Sequence, residues 1–138
     1  MIRIALLLVG LSACGDSVEM PRDGSIEAGD FICASEDDVR RFVFEPSCAT
    51  SRCHDAEAAR GRLDLETPGV TERLIGRTSV HERCSEQQLL VPGDPASSFM
   101  MRKVLGTHGN CGDPMPNRGE VSPAQRRCIA AWIVNAAE

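Results

Sequence analysis

The chain has 138 residues, 42% of them hydrophobic and 25% charged, with a formal net charge of -5. That length supports one small domain around one core, and the acidic balance excludes the basic footprint that a nucleic-acid binder needs. No apolar run approaches the ~20 residues that a bilayer-spanning helix requires.

The first element is a leader. Arg3, an apolar run over residues 4–11 and then Leu11, Ser12, Ala13 and Cys14 follow the order of a secretory signal that ends at a lipid-modified cysteine. Residues 1–13 are therefore expected to be removed, leaving Cys14 as a lipidated N-terminus. Gly15 rather than an aspartate comes next, which resembles the Gram-negative lipoproteins exported to the outer membrane. Losing Arg3 takes the formal charge from -5 to -6. The excess is uneven: residues 16–45 hold nine acids against three arginines, while residues 46–138 hold eleven acids and eleven basic residues. Residues 14–31 are acidic, contain Gly and Pro and lack sustained periodicity, so they read as a tether. Residues 32–138 remain for the domain.

Four helix starts follow. Ser35 caps the first, with Asp38 three residues on and Val39, Phe42 and Val43 as its apolar stripe; Pro46 is expected to end it. Thr67 and Pro68 open a second, with Val70, Leu74 and Ile75 apolar and Gly76 as its stop. Asp94 and Pro95 open a third that runs through Phe99, Met100, Val104 and Leu105 to Gly106. Ser122, Pro123 and Gln125 form a capping box for the last, whose apolar face is Cys128, Ile129, Trp132, Ile133 and Ala136. The only strand-like scrap, residues 62–65, is too short to carry a sheet. The reading is an all-α domain of about four short helices with long loops.

The chemistry concentrates after the first helix, where Cys48 and Cys53 flank four residues and His54 follows at once. With two intervening residues this is the c-type haem attachment pattern, in which both sulfurs add to the haem vinyl groups and the histidine ligates the iron. The plainer reading is a small disulfide loop beside a surface histidine. Near the other end, Met115 lies in the Gly/Pro-rich run GDPMPN, residues 112–117. A rigid loop there can present a thioether as a soft iron ligand. His108 is its rival, Met100 is read as core packing with Met101 toward solvent, and His81 as a solvated loop residue.

In order, these segments resemble the monohaem class I cytochromes c, and more closely the cytochrome c-like domains of bacterial envelope lipoproteins. The matching stretches are residues 44–54, 61–65, 91–95, 111–116 and 131–133. The resemblance implies covalent haem c attached through Cys48 and Cys53, with His54 as proximal ligand and Met115 as distal ligand. The departure from it is the four-residue spacing between the two cysteines.

Cys33, Cys84, Cys111 and Cys128 remain for disulfides and permit three pairings. Cys111 precedes the Met115 loop and Cys128 sits one turn into the last helix, so a bridge between them is favoured, stabilising by roughly 3 kcal/mol; Cys33 with Cys84 then follows by elimination. Zinc is disfavoured because no paired C-x2-C knuckles occur.

The function expected is a single-haem electron carrier, with Phe42, Phe99, Leu105 and Trp132 as its low-dielectric shell. It needs no catalytic acid, base or nucleophile and is not expected to be an enzyme. It would sit in the cell envelope, facing the periplasm and held to a membrane through Cys14, with redox proteins as partners and no nucleic acid. The alternative is a haem-free, disulfide-stabilised lipoprotein acting as an interaction or scaffold module. A haem peroxidase would need an open distal position, which Met115 disfavours.

Overall fold

The computed structural model describes Cys33 and residues 35–137. The expected signal, the lipidation site Cys14 and the tether lie outside the described residues. Among the described residues there are four α-helices and no sheet, with only two isolated bridges, Ile75 to Leu90 and Thr78 to Gln88. The domain is all-α, as expected.

Helix α1, Glu36–Val39, starts at the anticipated capping box, with the Ser35 hydroxyl accepting from the Asp38 amide and the Asp38 carboxylate accepting in return. Pro46 does not end it. The helix widens into a π-helix, Arg40–Cys48, that contains the proline. A proline nitrogen has no hydrogen to give the carbonyl four residues back. In the π register the bond that Pro46 lacks is the one to the carbonyl five residues back, and the register closes with the Ala49 amide on the Phe44 carbonyl at 2.6 Å; the Phe42 carbonyl also accepts from Gln125 Nε2 of α4 at 3.0 Å. The wider turn also rotates the apolar face: Val39, Val43 and Phe44 are buried, and Phe42 is only partly so.

Helix α4, Pro123–Asn135, is capped by Ser122 and Gln125 as the sequence implies and buries Cys128, Ile129, Trp132 and Ile133. It packs on α1, on the π-helix and on α3. Phe44 meets Trp132 edge-on, with ring centroids 5.5 Å apart and planes at 85°, so this aromatic pair sits at the centre of the core. Burying each such side chain contributes on the order of 1.5–3 kcal/mol.

Helix α2, Val70–Leu74, begins after Thr67 and Pro68, at Gly69 in a left-handed conformation. Its first amides are capped from a distance. The Glu36 carboxylate accepts from the amides of Gly69 (2.6 Å) and Thr71 (2.7 Å) and from the Thr71 hydroxyl (2.7 Å), and Thr71 Oγ1 accepts from Trp132 Nε1 at 3.0 Å. Ile75, expected on the buried face, lies past the helix and is 42% exposed.

Helix α3, Phe99–Leu105, ends at Gly106 as expected but starts later than Asp94 and Pro95. Asp94 instead holds a separate turn by accepting the Ser97 amide, and buried Ser98 donates its hydroxyl to the Asp94 carbonyl at 2.8 Å. The first α3 amides, of Phe99 and Met100, go to the carbonyls of Gln88 and Leu89. The later start moves the helix face: Met101 is buried in the core, Met100 is half-buried, and Leu105 is exposed.

All four expected disulfide cysteines are bonded, but in a different pairing. The bridges are Cys33–Cys128 and Cys84–Cys111, with Cα–Cα distances of 4.8 and 5.8 Å. Cys128 lies on the face of α4 that packs against α1, next to which Cys33 enters. The loop after Cys111 runs instead along α3, taking Cys111 to the short 3-10 turn Glu82–Cys84. The favoured Cys111–Cys128 bridge fails because the Met115 loop is fastened to α3 and not to α4.

Candidate functional site

The π-helix delivers Cys48 at its last residue, and the chain then turns sharply. The Cys48 carbonyl accepts the His54 amide at 3.2 Å, and the Cys53 amide bonds the Thr50 carbonyl at 2.9 Å. Arg52 takes a left-handed φ of 72° inside this turn. The following segment folds back as a brace: the Arg60 amide reaches the Cys53 carbonyl (2.8 Å) and the Leu65 amide the His54 carbonyl (2.8 Å). Residues 60–65, which include the strand-like scrap at 62–65, are therefore the backstop of the Cys-His turn.

That brace also fixes the imidazole. His54 Nδ1 lies 2.9 Å from the Arg60 carbonyl and 3.3 Å from the Leu63 carbonyl. A carbonyl can only accept, so Nδ1 carries the proton and the lone pair is left on Nε2. Burial, the largest influence, pushes the His54 pKa below its ordinary value, against the two carbonyls that favour the charged form. The ring is thus a neutral imidazole at pH 7, the state in which it can ligate a metal.

Cys48, His54 and Met115 all border one cavity of about 450 Å³, within the size range of cofactor sites. Phe44 comes from the π-helix, Phe99, Met100 and Val104 from α3, Leu63 and Leu65 from the brace and Ile129 from α4. Of the aromatic and aliphatic shell anticipated, only Phe99 lines it; Phe44 replaces Phe42 because of the π register, Leu105 is exposed, and Trp132 stands one layer behind Phe44.

Cys53 is half-buried and does not border the cavity, though it is close enough to Cys48 to influence it. Both thiols are free. Burial, with a smaller electrostatic effect from Cys53, pushes the Cys48 pKa up to about 12, so this thiol is protonated at neutral pH and is no nucleophile.

The two remaining histidines exchange the positions expected of them. His108 is 6% exposed, is absent from the cavity wall and donates through Nε2 to the Gly112 carbonyl at 2.9 Å. A carbonyl partner again makes that nitrogen the protonated one; buried Nδ1 has no hydrogen-bond partner among the described residues. His108 thus braces the loop before Met115. His81, read as a solvated residue, is exposed but lies on the cavity rim beside Gly112. Nothing in the local sequence marks it, because the Cys84–Cys111 bridge is what brings it there.

Among the described residues, no group of three or more His, Cys, Asp or Glu side chains could hold a metal ion, and no helix is long and apolar enough to cross a membrane. The donor set is of another kind, one imidazole nitrogen and one thioether at a largely apolar cavity with one thiol, Cys48, on its wall and Cys53 off it. Those residues fit a haem. The chain matches no family model, no curated protein and no solved structure.

Proposed function

We propose that this chain is a lipid-anchored c-type cytochrome, a single-haem electron carrier facing the periplasm. The observation that carries the reading is the convergence of Cys48, His54 and Met115 on one apolar cavity, with the His54 proton committed to backbone carbonyls. When bound, haem supplies a one-electron Fe(III)/Fe(II) couple. Cys48 and Cys53 would hold it by adding each S–H across a vinyl group, so that a C–S bond forms, the thiol hydrogen passes to carbon, and no oxidant is consumed. His54 Nε2 and Met115 Sδ would be the residues that hold its iron. Phe44, Phe99, Val104 and Ile129 exclude water, and a low-dielectric wall disfavours the additional charge of the oxidised state.

In this reading Cys14 carries the lipid, the acidic tether lifts the domain from the membrane surface, and redox proteins of the envelope are the partners. Charge on the tether would make their association rate salt-dependent. No step needs a catalytic acid, base or nucleophile.

The test is expression of the full chain with a haem-maturation apparatus, followed by intact mass under denaturing conditions and the reduced spectrum of the pyridine adduct. A mass gain of one haem that persists after unfolding, and is lost in a Cys48→Ala, Cys53→Ala double variant, is expected. A mass that differs only by the hydrogens lost on disulfide formation would instead favour the haem-free interaction module.

A further inference from the structure

The loop that carries Met115 has no regular secondary structure, yet a candidate ligand must be held still. Beside the Cys84–Cys111 bridge and the His108 bond to Gly112, three of its fastenings converge on one residue of α3. The Lys103 ammonium donates to the carbonyls of Cys111 (2.5 Å) and Asp113 (2.6 Å), and the Lys103 carbonyl accepts the Met115 amide at 3.0 Å. Nζ also stands 5.4 Å from the centroid of the Phe99 ring, one turn earlier on the helix. Gly112, between the two carbonyls, takes φ 77°, a left-handed conformation that side chains rarely adopt, and packs beside Nζ. Among the described residues Lys103 forms no salt bridge, so its charge is directed at the loop backbone. A cation with three donors can hold two carbonyls at once, and its charge makes each bond stronger than a neutral donor would.

We propose that Lys103 is the positioning residue for Met115, setting from α3 where the thioether stands in the cavity. The inference rests on Met115 as an iron donor, and two readouts keep the two ideas separable. Lys103→Met retains the side-chain stem and removes every donor; Lys103→Arg retains charge and donors; Lys103→Gln retains donors but loses the charge and reaches less far.

The first readout is hydrogen exchange of the Met115 amide, which needs no haem. Losing two charge-assisted hydrogen bonds is expected to accelerate it by about tenfold or more in Lys103→Met, while α4 amides keep their rates. Lys103→Arg should restore protection and Lys103→Gln should fall between, so a poorly folding Met variant leaves the series readable. The second readout, on the haem-loaded chain, is the absorption signature of the thioether–iron bond and the reduction potential. Both should shift in Lys103→Met and recover in Lys103→Arg. Unchanged Met115 exchange in the Met and Gln variants would overturn the proposal. So would acceleration spread evenly over α3 and α4, which marks general destabilisation. If the chain carries no haem, the electron-carrier reading fails, while selective acceleration at Met115 still supports Lys103 as the clamp.

Discussion

The two disulfides can be told apart by energy as well as by connectivity. Cys33 and Cys128 are 95 residues apart in sequence, Cys84 and Cys111 only 27. In the chain-entropy relation these separations correspond to about 4.7 and about 3.5 kcal/mol of constraint on the unfolded chain. Against a total stability of roughly 5–15 kcal/mol for a domain of this size, each is a large fraction. The double variant Cys84→Ala, Cys111→Ala should therefore remain folded but lose about 3.5 kcal/mol, and Cys33→Ala, Cys128→Ala should lose more. Urea unfolding followed by Trp132 fluorescence measures both, with the m value watched for changes in the unfolded state. Non-reducing peptide mapping reports the pairing directly. A Cys111–Cys128 cross-linked peptide, or a smaller loss from the 33/128 variant than from the 84/111 variant, would refute the assignment and the argument that the Met115 loop is fastened to α3.

Three further outcomes are expected. Burial tends to raise the Glu36 pKa, but the hydrogen bonds donated by Thr71, Val70 and Gly69 outweigh it and hold the carboxyl below its ordinary value. Its stabilisation is therefore present above the unfolded-chain pKa and is lost as pH falls through the lower folded one. Glu36→Gln should cost about 1–2 kcal/mol at pH 7 after allowing for partial exposure and should flatten the acid limb of a stability–pH curve. With its pKa near 12, Cys48 holds only about one thiolate in ten thousand molecules at pH 8, so in haem-free folded protein it should resist iodoacetamide until denaturant is added, as peptide mass mapping will show. Phe44→Ala removes a ring wedged between Trp132 and the cavity and should cost about 3–5 kcal/mol in chemical denaturation.

Helix existence was legible wherever the signal is local. Both capping boxes, Ser35 with Asp38 and Ser122 with Gln125, form as the spacing implies, and Gly106 stops α3. What local pattern does not reveal is a partner from elsewhere in the chain. Pro46 lies inside a π-helix whose Phe42 carbonyl is also held by Gln125, on another helix. The start of α2 is set by Glu36 rather than by Thr67 and Pro68, since a carboxylate from α1 supplies the cap. The same limit applies at the site. Cys48, His54 and Met115 were visible as unusual residues in unusual settings, but Lys103 was not, because a lysine three positions before a glycine cap reads as a favourable charge at a helix end. Its acceptors lie eight and ten residues further along.

The arrangement of the six described cysteines has its own logic. An oxidising compartment of the kind proposed would press all six toward disulfides, and haem attachment through Cys48 and Cys53 requires that those two stay reduced. Exchange into a disulfide needs a thiolate as attacker, and burial at the end of the π-helix keeps Cys48 protonated. The other four are each seated against a partner contributed by tertiary packing, Cys33 on α4 and Cys111 beside the 82–84 turn. The π-helix thus does two things with one change of register. It turns Phe44 into the core against Trp132, and it sets Cys48 where the medium suppresses the ionisation that would let it be captured by the wrong sulfur.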